Sequence, residues 1–380
     1  MTRPLVHVLT PGDHFSPRTG SAIPTIVDGL SRGASDGTPP ATVVVARGTY
    51  ADRYTSARAV EYPPRAPRRT DRYVDVAAAR AGLPRLGSRR VLRPTLGDQR
   101  NWPASIVLAH NAPALVPLVD GRHDAVLYAH NQVLRSYTLR EAGRVLRPAR
   151  AVVCVSDFLA QQVQDRLPRE LHGRVRTVRN GVDLERFAVP RAPRQGTLRV
   201  VFVGRVIRDK GVHVLLEAVT QLGRDDIDVT IVGRPGFDAD APLTPYERGL
   251  RQLAAAVRGR VRFASFVARP ELPALLSAAD VVAVPSIWPE PFGLTALEGM
   301  AAGAAVVASD IGGIPEAVGA GGTLVPAGDP RRLAEVLAAW ADDDDALTHD
   351  ALRARAHARK NGWATSAQAL RVVLDDEGEA

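Results

Sequence analysis

The chain has 380 residues, of which 45% are hydrophobic and 24% charged, a balance that suits two globular domains and excludes a disordered or low-complexity chain. Its single cysteine, Cys154, excludes an intrachain disulfide framework or a cysteine-based zinc cluster. The net charge of +8 comes almost wholly from arginine, since only Lys210 and Lys360 are lysines. No apolar run approaches the roughly 18 residues of a membrane span, and no signal-peptide core follows Met1, so a cytoplasmic protein is expected.

In chain order, an apolar run predicts a first strand over 6–10, a loop over 11–21 that contains Gly12 and Gly20, and a helix over 22–32. Strand, glycine-containing loop and helix form the opening of a Rossmann-like unit, although the loop lacks a full G-x-G-x-x-G. A second strand is expected over 41–46. Residues 44–100 then hold thirteen arginines against five acids, Asp52, Glu61, Asp71, Asp75 and Asp98. Proline and arginine obscure the periodicity there, and no elements are assigned with it. Sparse aromatics and no recognisable nucleic-acid motif argue against nucleic acid as a partner. The stretch reads as a solvated face, or as a peripheral contact for a membrane or another anionic surface.

Order returns with strands over 105–109 and 125–129, which end in His110-Asn111 and His130-Asn131. Ligands gather at the carboxyl ends of strands in open α/β sheets, so either histidine can meet one; a histidine there can also be a satisfied structural residue. A strand over 151–155 buries Cys154, with Ser156 as the N-cap of a helix through Arg166. After a strand over 175–178, Asn180-Gly181 signals a turn. Residues 190–196 have a linker's composition, and the α/β rhythm restarts beyond them. Strands are expected over 198–203, 229–232, 261–263, 280–284, 305–308 and 323–325, with helices over 212–222, 246–257, 272–278 and 331–339, and a last helix from about Trp363 to Leu374. The acidic run Asp342 to Asp345 reads as solvated charge beside a helix end.

Two loops of the second half can do chemistry. The first, after the strand over 198–203, holds Gly204, Arg205, Lys210 and Gly211. Glycine lets backbone approach a ligand, the arginine fork suits phosphate oxygens, and the lysine is a mobile point charge. The spacing is not that of a phosphate-binding Walker loop, and such charges also occur as plain surface. The second loop follows the strand over 280–284 and leads through Glu290-Pro291-Phe292-Gly293-Leu294 into a helix starting near Thr295, with Glu298 a turn inside it. That helix start offers free N–H groups and a positive dipole end to a phosphate. A plainer reading makes Thr295-x-x-Glu298 a capping box and Glu290 a solvated carboxylate.

Taken together, Asn180-Gly181-Val182-Asp183, Gly204-Arg205 with Lys210-Gly211, Pro285-Ser286, Glu290 through Glu298 and Gly312-Gly313-Ile314-Pro315-Glu316 resemble the retaining, GT-B-fold glycosyltransferases of family 4. The resemblance implies two Rossmann-like domains facing each other across a cleft: an acceptor-side domain over 1–190, a nucleotide-sugar domain over 191–358, and over 359–380 a C-terminal helix crossing back and a tail. It implies that Arg205 and Lys210, beside Gly204, hold the donor diphosphate, helped by the backbone N–H groups of Phe292, Gly293 and Leu294. Glu298 would bind the ribose hydroxyls, Glu290 the donor sugar, and Gly20 would let the first loop close on the diphosphate. His130, with His110 as alternate, would serve the sugar or acceptor side. No cofactor or metal is expected; the nucleotide-diphosphate sugar is a substrate and the acceptor an unidentified hydroxyl compound. Two departures stand out: Thr19-Gly20-Ser21 where the family commonly has paired glycines, and Glu298-Gly299 where it has Glu-Ala. The alternative is a non-catalytic nucleotide-sugar-binding protein on the same fold. A glycosidase is disfavoured because Glu298 lies inside a helix, and a nicotinamide oxidoreductase because neither half has an intact G-x-G-x-x-G.

Overall fold

The computed structural model describes residues 3–35, 37–48, 50–191, 193–236 and 241–376. The chain forms two compact units, one from the chain up to Asn180 together with the segment from Trp363, the other from Gly181 to Gly362. The division falls ahead of the linker-like 190–196. Asn180-Gly181 is no tight turn: Gly181 lacks a positive φ, and Val182 runs extended to bridge Gly362, its N–H donating to the Asn361 carbonyl at 3.0 Å.

The first unit is a seven-stranded parallel sheet. Its strands are β1 (Leu5–Val8), β2 (Thr42–Ala46), β3 (Arg58–Tyr62), β4 (Ile106–His110), β5 (Asp124–Ala129), β6 (Ala149–Cys154) and β7 (Val175–Thr177), in the order β3-β2-β1-β4-β5-β6-β7. Helices α1 (Ala22–Arg32), α2 (Asp71–Arg80), α3 (Leu86–Leu92), α4 (Leu139–Leu146) and α5 (Asp157–Gln164) connect them. Valine, leucine and alanine fill the central strands on both faces, as a sheet covered by helices on each side requires. Ser156 caps α5, its hydroxyl accepting from the Leu159 N–H at 3.0 Å. Cys154 is fully buried, and burial pushes its thiol up to about 12, which leaves it an apolar filler. The 50–100 region, left without elements by the sequence, supplies edge strand β3 and the hairpin of α2 and α3.

The second unit repeats the scheme with β8 (Leu198–Val203), α6 (Val212–Leu222), β9 (Ile227–Val232), α7 (Pro245–Ala254), β10 (Val261–Ala264), α8 (Leu272–Ser277), β11 (Val281–Val284), α9 (Leu294–Ala301), β12 (Ala305–Ser309), α10 (Ile314–Val318), β13 (Thr323–Val325), α11 (Pro330–Asp342) and α12 (Asp344–Lys360). Its six parallel strands run β10-β9-β8-β11-β12-β13 around a core that includes Leu215, Leu216, Val229, Val281 and Trp340. The acidic run 342–345 has local work. Asp343 caps α12, accepting from the N–H groups of Asp345 and Ala346 at 2.9 Å, while Asp342 and Asp344 pair with Arg224 and Arg194.

The final helix, α13 (Trp363–Asp375), belongs to the first unit and lies on α1. Gly29 on α1 and Gly33, which caps its C-terminus one turn on, make its seat. A Cβ on Gly29 would come within 2.2 Å of the Trp363 ring, and one on Gly33 within 2.5 Å of the Trp363 backbone. In each sheet the strand order reverses beside a central strand, between β1 and β4 and between β8 and β11, so the loops leaving those strands part and open a crevice at their carboxyl ends.

Candidate active site

The crevice of the second unit is built from three loops bound backbone to backbone. The Ile287 and Trp288 N–H groups, beyond β11, both donate to the Asp209 carbonyl, beyond β8, at 2.9 and 3.2 Å. Gly211 touches the same segment. Its φ is +67°, and a Cβ there would stand 1.8 Å from the Pro285 carbonyl oxygen, so no other residue fits. From β12 comes Gly312, with φ +66° and no room for a Cβ beside the Glu290 backbone, and Gly313, whose N–H donates to the Glu290 carbonyl at 2.7 Å. These contacts fix Glu290 in place before any side chain acts.

The carboxylate of Glu290 is the hub. Lys210 Nζ lies 2.6 Å from its Oε2, the two side chains being 23% and 12% exposed, and the Ser286 hydroxyl donates to its Oε1. Glu290 is therefore no idle solvated acid; both oxygens are engaged, one by a charge and one by a hydroxyl. Arg205, on the same loop as Lys210, is exposed; its carbonyl accepts from the Ile207 N–H at 3.0 Å, but its guanidinium has no hydrogen-bond or ion-pair partner among the described residues. Gly204 is tied into the sheet, its N–H donating to the Val232 carbonyl at 3.1 Å.

Helix α9 begins at Leu294 behind Gly293, which takes φ +104° as its N-cap. No side chain caps this end and no acid lies in its first turn, so its N–H groups and dipole are free to act on an anion. Phe292, just before the cap, is buried and anchors the loop. The capping-box reading fails: Thr295 lies inside the helix, and Glu298 in the second turn cannot reach back to close such a box. Glu298 is instead buried against Arg269, whose Nη2 donates to Oε1 at 2.6 Å.

In the first unit the loop after β1 is held by Phe15, buried against Tyr54 with ring centroids 5.3 Å apart. Gly20 is exposed near its end, and the left-handed glycine of the loop is Gly12, φ +101°. His130 follows β5 and its backbone N–H donates to Asn111 Oδ1 at 2.7 Å. His110 and His130 are both buried and hydrogen-bonded to each other, His110 Nδ1 to His130 Nε2 at 2.8 Å, so the two alternates form one system. Burial, unrelieved by any carboxylate, holds His130 down to about 3 and His110 well below the usual imidazole range, and both are neutral at pH 7.

Sequence reasoning missed Arg269 and His7. Arg269 sits in an irregular loop after β10 with no spacing that ties it to Glu298. His7 lies within the first apolar run, where strand alternation puts it on one face with Leu5 and Leu9, a signal that a lone polar residue in such a run could have given.

Two Rossmann-like units, each with a crevice at the switch point of a parallel sheet, define the GT-B architecture. Residues 185–362 match the family described as glycosyl transferases group 1, and residues 39–186 match glycosyltransferase family 4. The chain is 32% identical over 313 residues to glycogen synthase of Mycobacterium tuberculosis, covering 78% of this chain and 73% of that one. It is 35% identical over 244 residues to D-inositol 3-phosphate glycosyltransferase of Corynebacterium glutamicum, covering 58% of this chain and 57% of the relative's length. The protein belongs to this glycosyltransferase family. Anabaena HepE, solved in complex with UDP and glucose, shares the fold with a TM-score of 0.70 at 20% identity, over 98% of this chain and 100% of its own.

Proposed function

We propose that the protein transfers a sugar, with retention and without a metal, from a nucleotide-diphosphate donor to an acceptor hydroxyl on a glycolipid, polysaccharide or natural product. The observation that carries this reading is the Lys210–Glu290 pair, fixed between the loops of β8 and β11 beside the uncapped start of α9. A cation, an unpaired arginine and a helix N-terminus can together neutralise a diphosphate as it leaves, an electrostatic role that a metal fills elsewhere. In this reading Lys210 and Arg205 take the diphosphate, the Phe292 to Leu294 backbone adds N–H groups, Glu290 takes the sugar hydroxyls, and Glu298, held by Arg269, takes the ribose. His130, neutral, serves the sugar or acceptor side, and Gly20 lets the first loop adapt.

A thermal-shift screen against UDP-, GDP-, ADP- and dTDP-sugars tests the donor, because a ligand of the folded state raises its stability by mass action. The complex of HepE with UDP and glucose puts UDP-glucose first on that screen. Glu290→Ala and Lys210→Ala are each expected to cut turnover at least about a hundredfold; full turnover in either would end the assignment. Release of free sugar or transfer by the wild type, measured with the donor so found, separates an enzyme from a binding protein.

Peripheral association with an anionic surface is also part of the proposal. Tyr73, Val74 and Val76 on α2 and Leu83 and Leu86 beyond it are exposed among Arg72, Arg80 and the other arginines of 44–100, a combination that suits an anionic bilayer. Among the described residues no helix is long and apolar enough to cross a membrane. Cosedimentation with phosphatidylglycerol vesicles but not phosphatidylcholine vesicles is expected, and equal binding to both would rule this out.

A further inference from the structure

Three histidines from neighbouring strands form one file through the first unit. His7 Nδ1 lies 2.9 Å from His110 Nε2, and His110 Nδ1 lies 2.8 Å from His130 Nε2. The rings stack almost in parallel, 23° apart for the first pair and 12° for the second, and all three are buried. The two ends of the file differ. His130 Nδ1 is buried with no partner among the described residues, whereas His7 lines a cavity of about 630 Å³ between α1, α13 and the segment before β2, beside Ser31 and Gln368.

In each contact two ring nitrogens face each other, so one proton must lie between them, and a neutral imidazole has only one to give. Two arrangements satisfy both contacts. In the first, His130 Nε2–H donates to His110 Nδ1, His110 Nε2–H donates to His7 Nδ1, and His130 Nδ1 is a bare acceptor. In the second every N–H is on Nδ1, the donations run from His7 to His110 to His130, and His130 Nδ1 is a donor. All three rings therefore share one tautomer, and none can change alone without breaking a buried hydrogen bond, a loss of about 1–3 kcal/mol.

We propose that His7 and His110 are positioning residues that set the tautomer of His130, so that whether His130 Nδ1 donates or accepts is decided at His7, two rings away. A role in packing alone would not call for histidine: the neighbours Val6, Val8 and Leu108 show what the same strands use as filler. Burial without a carboxylate keeps the file uncharged, which leaves the tautomer as its one variable. The inference rests on the reading that His130 serves the sugar or acceptor side, where the tautomer would decide which way a ligand hydroxyl hydrogen-bonds to it.

Long-range ¹H–¹⁵N correlation spectra of the imidazoles in the full chain test the file without any turnover assay, so its failure and that of the transferase reading are told apart. His7, His110 and His130 are expected to show the same protonated nitrogen, or the same ratio of the two tautomers; a mismatch among them overturns the proposal, whether or not any variant folds. In His7→Phe the ¹⁵N shifts of His130 are expected to move although the two rings do not touch, and unchanged shifts would also overturn it. With the donor, His7→Phe should lower kcat roughly tenfold or more with KM unchanged. His7→Asn, which can still pair with His110 Nε2, should recover most of that. Equal losses in the two variants would mark His7 as packing only.

Discussion

Burying three neutral imidazoles ties the stability of the first unit to pH. His7 and His130 are held near 3 in the folded chain, against about 6.5 when unfolded, and His110 is also lowered. Below about 6.5 the unfolded chain takes up protons that the folded chain refuses, so this contribution is whole above about 6.5 and falls away as pH drops toward 3. His7 and His130 each add a slope of about 1.4 kcal/mol per pH unit in that window, and His110 acts in the same direction. Urea unfolding at pH 7 and pH 5 should show the loss, with a shallower dependence in His7→Phe than in wild type; parallel curves would mean that His7 is not the buried neutral ring described. Gly211 makes a separate demand. Gly211→Ala must hold φ +67° and displace the Pro285 carbonyl, so a loss of about 2 kcal/mol or more is expected, together with loss of the donor-induced thermal shift.

At the scale of elements, what could be read from the residues was whatever repeats locally. The valine-rich strands fell within about two residues of their places, because a parallel strand buried on both faces is a continuous apolar run. Ser156 was legible as a cap because a serine just ahead of a helix has its acceptor within reach of the free N–H groups of the first turn. The hairpin of α2 and α3 was not, since only Asp75 and Ala78 of α2 are buried and no apolar stripe marks it. It is held by a long-range contact: Asp75 accepts from the Gly87 N–H at 2.6 Å, the Ser88 N–H at 3.1 Å and the Ser88 hydroxyl at 2.6 Å. Asp75→Ala leaves those donors unpaired and is expected to cost about 1–3 kcal/mol. Hydrogen exchange should rise over 71–92 and nowhere else; protection left intact there would refute the brace. The site divides in the same way. Glu290, Lys210 and the start of α9 stood out by residue type and spacing, but the partners Ser286, Arg269 and His7 are made by folding, and for Arg269 no pattern in the chain announces it.

At the scale of the whole molecule, the order of the chain and the order of its units disagree: the first unit is closed by the last helix. The segment after Gly362 adds Trp363, Leu370 and Leu374, all buried, to a unit whose other residues end at Asn180. What makes this return possible is a pair of glycines, one in α1 and one at its C-cap, where any side chain would meet Trp363. A helix interior ordinarily loses roughly 0.5–1 kcal/mol by carrying glycine instead of alanine, so a substitution that raises helix propensity should here lower stability. Gly29→Ala must push the Trp363 ring from a Cβ that would stand 2.2 Å away, and overpacking of that kind costs about 1–3 kcal/mol, more than the propensity gained. Exchange measured by mass spectrometry is expected to quicken in α1 and in α13 and to leave β8 to α12 unchanged. Equal quickening in both units would contradict the assignment of α13 to the first alone. Because Lys210, Glu290 and the start of α9 lie within Gly181–Gly362, the part of the thermal shift that a nucleotide sugar draws from them should survive Gly29→Ala, which separates the closing of one unit from the chemistry of the other.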